Sequence, residues 1–219
     1  IVTVKQENLS AGPGESKLTM YNKSSNIFDI MVGKQNARIA DNEGNEKTLP
    51  SLESYVDGSD QFFFGWYLDK DTGLNGKGER FTSQSILVNP LYDLYARWGK
   101  GIFSYILNNK QVNCRILSID EFNKTKVQIG DAAKAAGAAS AEPNARAADE
   151  NGTLVIPDKI DWNSNEDLKA LGITFSDCEV SAIAENTFAG DSTIKNIVLP
   201  ETLESIGAGA FAGCTGLEK

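Results

Sequence analysis

Residues 179–219 read EVSAIAENTFAGDSTIKNIVLPETLESIGAGAFAGCTGLEK, and this stretch decides the fold because it nearly repeats itself. When the stretch is shifted by 23 residues, apolar and small residues fall on residues of the same kind. The pairs include Ile183 with Ile206, Phe188 with Phe211, Ala189 with Ala212 and Gly190 with Gly213. A fixed period of this length is typical of a solenoid, in which stacked units bury a shared apolar face that no single unit can bury alone.

A third, partial copy lies upstream of the repeat, where LVIPD at 154–158 matches IVLPE at 197–201. The phrases VSAIAENTFAG, IVLPETL and IGAGAFAGC resemble the leucine-rich repeats of the BspA-like family, over roughly residues 152–219. The resemblance implies a C-terminal leucine-rich-repeat solenoid in which each unit gives a short strand. It also implies a bacterial surface protein that binds partners, and it implies no catalysis.

A second recognisable block, rich in aromatic residues, lies at 61–99. It contains FFFGWY at 62–67 and LYARW at 94–98, separated by a polar segment at 69–80. The pattern F-x-G-W-Y … L-Y-A-x-W resembles the internalin B-type repeat, also called the Listeria–Bacteroides repeat. This resemblance implies a small β-grasp-like fold of the kind that occurs in tandem on bacterial surface proteins.

The chain is therefore predicted to be mainly β, with a β-grasp-like module at 1–99 and a leucine-rich-repeat module at 100–219. Short runs of Val, Ile, Phe, Tyr and Trp without long helical periodicity favour strands and turns. Strands that cap the solenoid are predicted at 102–107, 112–119 and 124–129. Residues 131–151 contain ten alanines and no large apolar side chain, so we expect a solvated excursion there.

Four aromatic side chains of the first module form a candidate ligand platform, namely Trp66, Tyr67, Tyr95 and Trp98. Exposed rings in such a group would stack on sugars or peptides. The same rings can instead fill the core, because large aromatic side chains dominate the apolar area of a small sheet. We favour the core interpretation and keep the platform as the alternative.

The chain lacks the residue type on which many catalytic and zinc sites depend. The chain has no histidine, which removes Ser–His and Cys–His dyads, histidine-based zinc sites and the usual general base. Segment 69–80 begins like a calcium loop, but Leu74 and Arg80 stand where such a loop requires Gly and Glu, so we interpret it as a hairpin turn. We expect no enzyme activity, no cofactor and no metal site.

The three cysteines, Cys114, Cys178 and Cys214, form no C-x-x-C pair, and an odd number cannot all pair internally. Cys214 lies inside a repeat, where it is interpreted as a small buried apolar residue. The sequence leaves open whether Cys114 and Cys178 are bridged.

The net charge of −9 argues against nucleic acid or an anionic membrane as partner, because both require basic surfaces. No run of 18 apolar residues is present, so no membrane insertion is expected. On the family resemblance we expect an extracellular or cell-surface location, with a signal peptide already removed. The predicted function is non-catalytic binding or adhesion to a protein or glycan on a host or neighbouring cell. The alternative is a structural stalk.

The sequence stops where a strand comparable to 196–199 should follow, so we expect the last repeat unit to be uncovered. An uncovered strand edge with apolar side chains above it pairs readily with another chain. We therefore predict that residues 208–217 either continue into a longer repeat array or mediate self-association.

Overall fold

The computed structural model describes residues 9–23, 26–39, 45, 47–55, 59–131 and 146–218, without the side chain of Asp177. The chain divides into two compact units, residues 1–99 and 100–219. The regular secondary structure of the described parts is mainly strand, as the sequence predicts, and their helices are a 3₁₀ turn at Trp162–Ser164 and one α-helical turn at Glu166–Lys169. Most of the alanine-rich segment 131–151 lies outside the described residues.

The first unit contains a single five-stranded sheet with the order β2-β1-β5-β3-β4. β1 pairs antiparallel with β2 and parallel with β5, and β3 pairs antiparallel with β4. The parallel β1–β5 pair therefore joins an early hairpin to the last strand near the centre of the sheet. The strands are β1 Glu15–Tyr21, β2 Ile27–Lys34, β3 Gln61–Lys70, β4 Gly76–Phe81 and β5 Leu91–Lys100.

A hydrophobic core covers one side of this sheet. Residues of β1 and β5 alternate between buried and more exposed positions, so every second side chain enters the core. Trp66 lies in this core, with its ring centroid 5.8 Å from that of Phe28 and 5.4 Å from that of Phe63. The Trp66 Nε1–H donates to the Pro50 carbonyl oxygen at 2.8 Å, so the buried indole has its hydrogen-bond partner and holds the segment around Pro50 against the sheet.

The second unit begins with an antiparallel meander and continues with parallel strands. β6 Ile102–Leu107, β7 Lys110–Ile119 and β8 Lys124–Ile129 form the meander, close to the predicted bounds. β11 Ser176–Ile183 joins β8 in parallel, and β13 Ser205–Ile206 joins β11 in parallel. β10 Lys159–Ile160 pairs antiparallel with the first half of β11. A separate parallel pair consists of β9 Thr153–Val155 and β12 Asn196–Val198.

The strand register reproduces the sequence repeat. Ile206 pairs with Ile183, as the shift of 23 residues predicts. The rings of Phe188 and Phe211 stack with a centroid distance of 5.4 Å and an interplanar angle of 12°. The upstream partial copy follows the same rule. Leu154 of β9 pairs with Ile197 of β12, and Val155 pairs with Val198, as in the alignment of LVIPD with IVLPE. Residues that correspond between copies are therefore neighbours in space.

Gly207 marks the closest approach between two copies. A Cβ atom at this position would clash with the backbone nitrogen of Glu185. The Gly207 N–H also donates to the Ile183 carbonyl oxygen at 2.8 Å. A side chain at this position would push the two copies apart and break that bond.

Three tight turns share one hydrogen-bonding pattern. In each, the Oδ1 atom of an aspartate accepts from the backbone N–H groups two and four residues later. The residue three positions later has a positive φ, which suits Asn and Gly and is strained for Leu. The aspartate and the positive-φ residue are Asp71 and Leu74 in the first turn, Asp120 and Asn123 in the second, and Asp149 and Gly152 in the third. The first of these confirms the hairpin interpretation of segment 69–80.

Replacing Asp120 by alanine should lower the free energy of unfolding by about 1 kcal/mol, because the N–H groups of Phe122 and Lys124 lose their side-chain acceptor. Asp120→Asn keeps a side-chain oxygen at the same place and should cost much less. Urea unfolding of both variants measures the difference. A stability of Asp120→Ala equal to that of the original chain would show that the turn does not depend on the acceptor.

Replacing Phe188 by alanine should destabilise the chain by about 3–5 kcal/mol, because it leaves a cavity where a buried ring stacks on Phe211. Phe122→Ala is the matched control, since the Phe122 side chain is 68% exposed and its removal should change stability little. Chemical denaturation monitored by circular dichroism gives both values. Similar losses for the two variants would contradict the stacked-repeat packing.

Candidate interaction surfaces

The four aromatic residues of the predicted platform do not share one surface. Trp66 and Tyr67 are each only 2% exposed, so they present no ring face to a ligand. Burial raises the pKa of the Tyr67 hydroxyl to about 12, although Arg80 and Arg97 oppose this shift. For these two residues the structure supports the core interpretation.

Tyr95 and Trp98 are half-buried and lie on opposite faces of β5, because odd and even positions of a strand alternate. The Tyr95 ring stacks on Tyr21 at 5.3 Å, and the Lys70 ammonium lies 5.0 Å from its centroid. Trp98 packs against the core, and the Lys23 ammonium lies 5.0 Å from its centroid. A lysine side chain therefore already lies over each ring, and a ligand that stacked there would have to displace it.

The first unit contains a groove that no sequence motif predicts. It is a cavity of about 650 Å³ lined by Asn22, Asn26, Ile27, Phe28, Asp29, Pro50 and Ser51. Trp98 supports one wall, because its Nε1–H donates to Asn22 Oδ1 at 3.0 Å. The groove forms because the segment at Pro50 comes next to the start of β2, which sequence spacing does not reveal.

An outward-facing apolar stripe crosses the parallel pair β9–β12. Val155 and Val198 lie directly opposite each other in the register and are 54% and 51% exposed. Leu199, the next residue after β12, is 43% exposed. The neighbouring Leu154 and Ile156 are buried, so the strand alternates between core and surface. These three exposed side chains, Val155, Val198 and Leu199, are called the apolar stripe below.

The described residues show neither a metal site nor a membrane span. Within the described ranges, no group of three or more Cys, Asp or Glu side chains is placed to hold a metal ion. The helices of those same ranges are too short or too polar to cross a membrane. An ion pair at 3.1 Å joins Nη2 of the partly exposed Arg115 on β7 to Oδ1 of the buried Asp131.

The three cysteines are buried, and none of them is bridged. Cys114 on β7 pairs with Ile129 of β8, whereas Cys178 on β11 pairs with Thr125 at the other end of β8. Because β8 lies between them, the two thiols are two strands apart and offset along the strand, too far for a disulfide. Burial raises the pKa of both thiols from the ordinary value of 9.0 to about 12. They therefore remain protonated and unreactive near neutral pH.

Comparison with known proteins identifies one family. Residues 160–219 match the family described as "BspA type Leucine rich repeat region (6 copies)", which supports the BspA-like resemblance of the C-terminal repeats. No curated protein and no solved structure matches the chain. Repeat domains of this family are commonly surface protein-interaction modules, are typical of bacterial cell surfaces and are generally non-catalytic. The internalin B-type resemblance lies outside the matched residues and stays a prediction.

We expect a thiol reagent at pH 8 to modify the native chain slowly and the denatured chain at all three cysteines. The reason is that each thiol is buried in the folded state and none is bridged. Mass spectrometry after alkylation in denaturant, without reductant, counts the modified groups. Modification of a single cysteine under those conditions would show that Cys114 and Cys178 are bridged and would contradict the strand positions given above.

Proposed function

We propose that this chain is a non-catalytic binding module of a bacterial cell-surface or secreted protein, which adheres to a protein or glycan on a host or neighbouring cell. The observation that carries the proposal is the apolar stripe of Val155, Val198 and Leu199. Two valines that lie opposite each other and face outwards favour a protein partner over a sugar. Burying each half-exposed valine would contribute about 1 kcal/mol to such a complex.

The proposal includes a specific architecture. The second unit is proposed to be a leucine-rich-repeat solenoid, which the parallel pairing of β11 with β13 and of β9 with β12 supports. The first unit is proposed to be a β-grasp-like module of the internalin B type. Its mixed sheet, with β1 and β5 parallel and adjacent, supports that assignment.

A structural stalk is the alternative function. A stalk would need the same stacked repeats but no outward apolar side chains, and exposed apolar residues are a liability where nothing covers them. The stripe is the feature that distinguishes the two proposals. Self-association through residues 208–217 is a separate proposal, supported by the apolar side chain of Ile206, which lies just before this segment and is 46% exposed.

The test is a binding screen of the whole chain against host-matrix proteins and a glycan array. If the stripe binds a protein, the double variant Val155→Asp, Val198→Asp should weaken the strongest interaction by about tenfold or more, because two charges would have to be buried in the contact. Val88→Asp is the control, since Val88 is an exposed valine in the other unit and is 62% exposed.

Two outcomes would count against the proposal. No binding to any protein or glycan would favour the stalk. Binding that both the double variant and the control retain would remove the stripe from the interaction. Light scattering of the same samples over a range of concentrations tests self-association. A strict monomer would contradict the separate proposal of self-association through residues 208–217.

A further inference from the structure

β2 forms one edge of the sheet in the first unit. Among the described residues, it pairs only with β1. The Ile30 N–H donates to Asp29 Oδ1 at 2.8 Å, so this amide is bonded to a neighbouring side chain and points away from β1. Because hydrogen-bonding directions alternate along an antiparallel strand, the Val32 amide points to the same outer side. An edge of this kind is a template for a further strand.

The groove described above lies at the start of this strand. Ile27, Phe28 and Asp29 belong to β2, and Pro50 and Ser51 line the same cavity. Its volume of about 650 Å³ falls within the range of natural ligand sites. The groove thus offers the apolar surface of Ile27 and Phe28 and one carboxylate, next to the outward amides of Ile30 and Val32 further along the same strand.

We propose that β2 binds an extended polypeptide segment of a partner protein, which adds to the sheet as a further strand and places a basic side chain against Asp29. In the free chain the Asp29 carboxylate occupies the Ile30 amide and protects the edge. In the complex a backbone carbonyl oxygen of the incoming segment accepts the hydrogen bond from the Ile30 amide. The released Asp29 carboxylate then pairs with the basic side chain. This site is in the other unit from the apolar stripe and does not depend on it.

The side chains of the groove favour a peptide over a glycan. Asn22 Oδ1 accepts from Trp98, Asp29 Oδ1 accepts from Ile30, and Ser51 Oγ donates to the Leu52 carbonyl oxygen. The amide oxygen of Asn22 and the hydroxyl of Ser51 are thus already bonded within the chain, which leaves fewer side-chain groups for a sugar. The outward amides of β2 suit an extended peptide, which hydrogen-bonds through its backbone.

The charge of the edge disfavours a second copy of the same chain as the occupant. Antiparallel pairing of two β2 strands about Ile30 would place the two Asp29 carboxylates at diagonal positions on the same face, where their like charges repel each other. The net charge of −9 adds repulsion between copies. A basic segment of a different protein would be repelled neither by Asp29 nor by the net negative charge.

The experiment selects short linear peptides from a random phage-displayed library against the whole chain and measures the affinity of synthetic binders by fluorescence anisotropy. Ile30→Pro removes the outward amide at an edge position where proline is tolerated. It should weaken binding by about tenfold, since strand hydrogen bonds are lost. Val88→Asp, outside the groove, should leave the affinity unchanged.

Asp29→Lys provides a second test that does not depend on the fold of the proline variant. Basic peptides selected on the original chain should lose affinity for Asp29→Lys, and a new selection on that variant should yield acidic peptides. The proposal is overturned if both variants bind the selected peptides as tightly as the original chain, or if no peptide is selected. It is also overturned if an oligosaccharide panel binds in the groove instead, or if Ile30→Pro converts a dimer into a monomer.

Discussion

The stacking of one repeat copy on the next is the constraint on which the second unit depends. A copy of about 23 residues is too short to bury its apolar side chains by itself. The contact must therefore be made between equivalent positions, and the stacked rings of Phe188 and Phe211 show that it is. The same requirement explains why Gly207 has no side chain, since its neighbour is the backbone of the preceding copy.

The sequence predicts this unit well because aligning the repeat copies also gives the register of strand pairing. Once Ile183 is aligned with Ile206, the pairing of β11 with β13 follows without any knowledge of the rest of the chain. The meander of β6, β7 and β8 could also be predicted, because polar turn residues separate its apolar runs. The sequence could not show which side of β9 and β12 faces outwards, since Leu154, Val155 and Ile156 are all apolar.

The first unit was harder to predict in detail because its features depend on distant contacts. Trp66 and Tyr67 are adjacent in a strand and would ordinarily point to opposite faces, yet both are buried. A sequence pattern alone cannot show that both faces are covered at that point. The groove has the same origin, because the Trp66–Pro50 hydrogen bond joins residues that no motif connects.

The two units differ in how their sheet edges can be used. β13 is only two residues long, and so short a strand offers an incoming chain few backbone groups. Any self-association through residues 208–217 would therefore have to rely on side chains such as Phe211. β2 is eight residues long and offers more backbone groups, with a register shift near its start and with Ile30 protected by the carboxylate of Asp29. Backbone-mediated recognition therefore fits the first unit, whereas side-chain contacts through the apolar stripe fit the second.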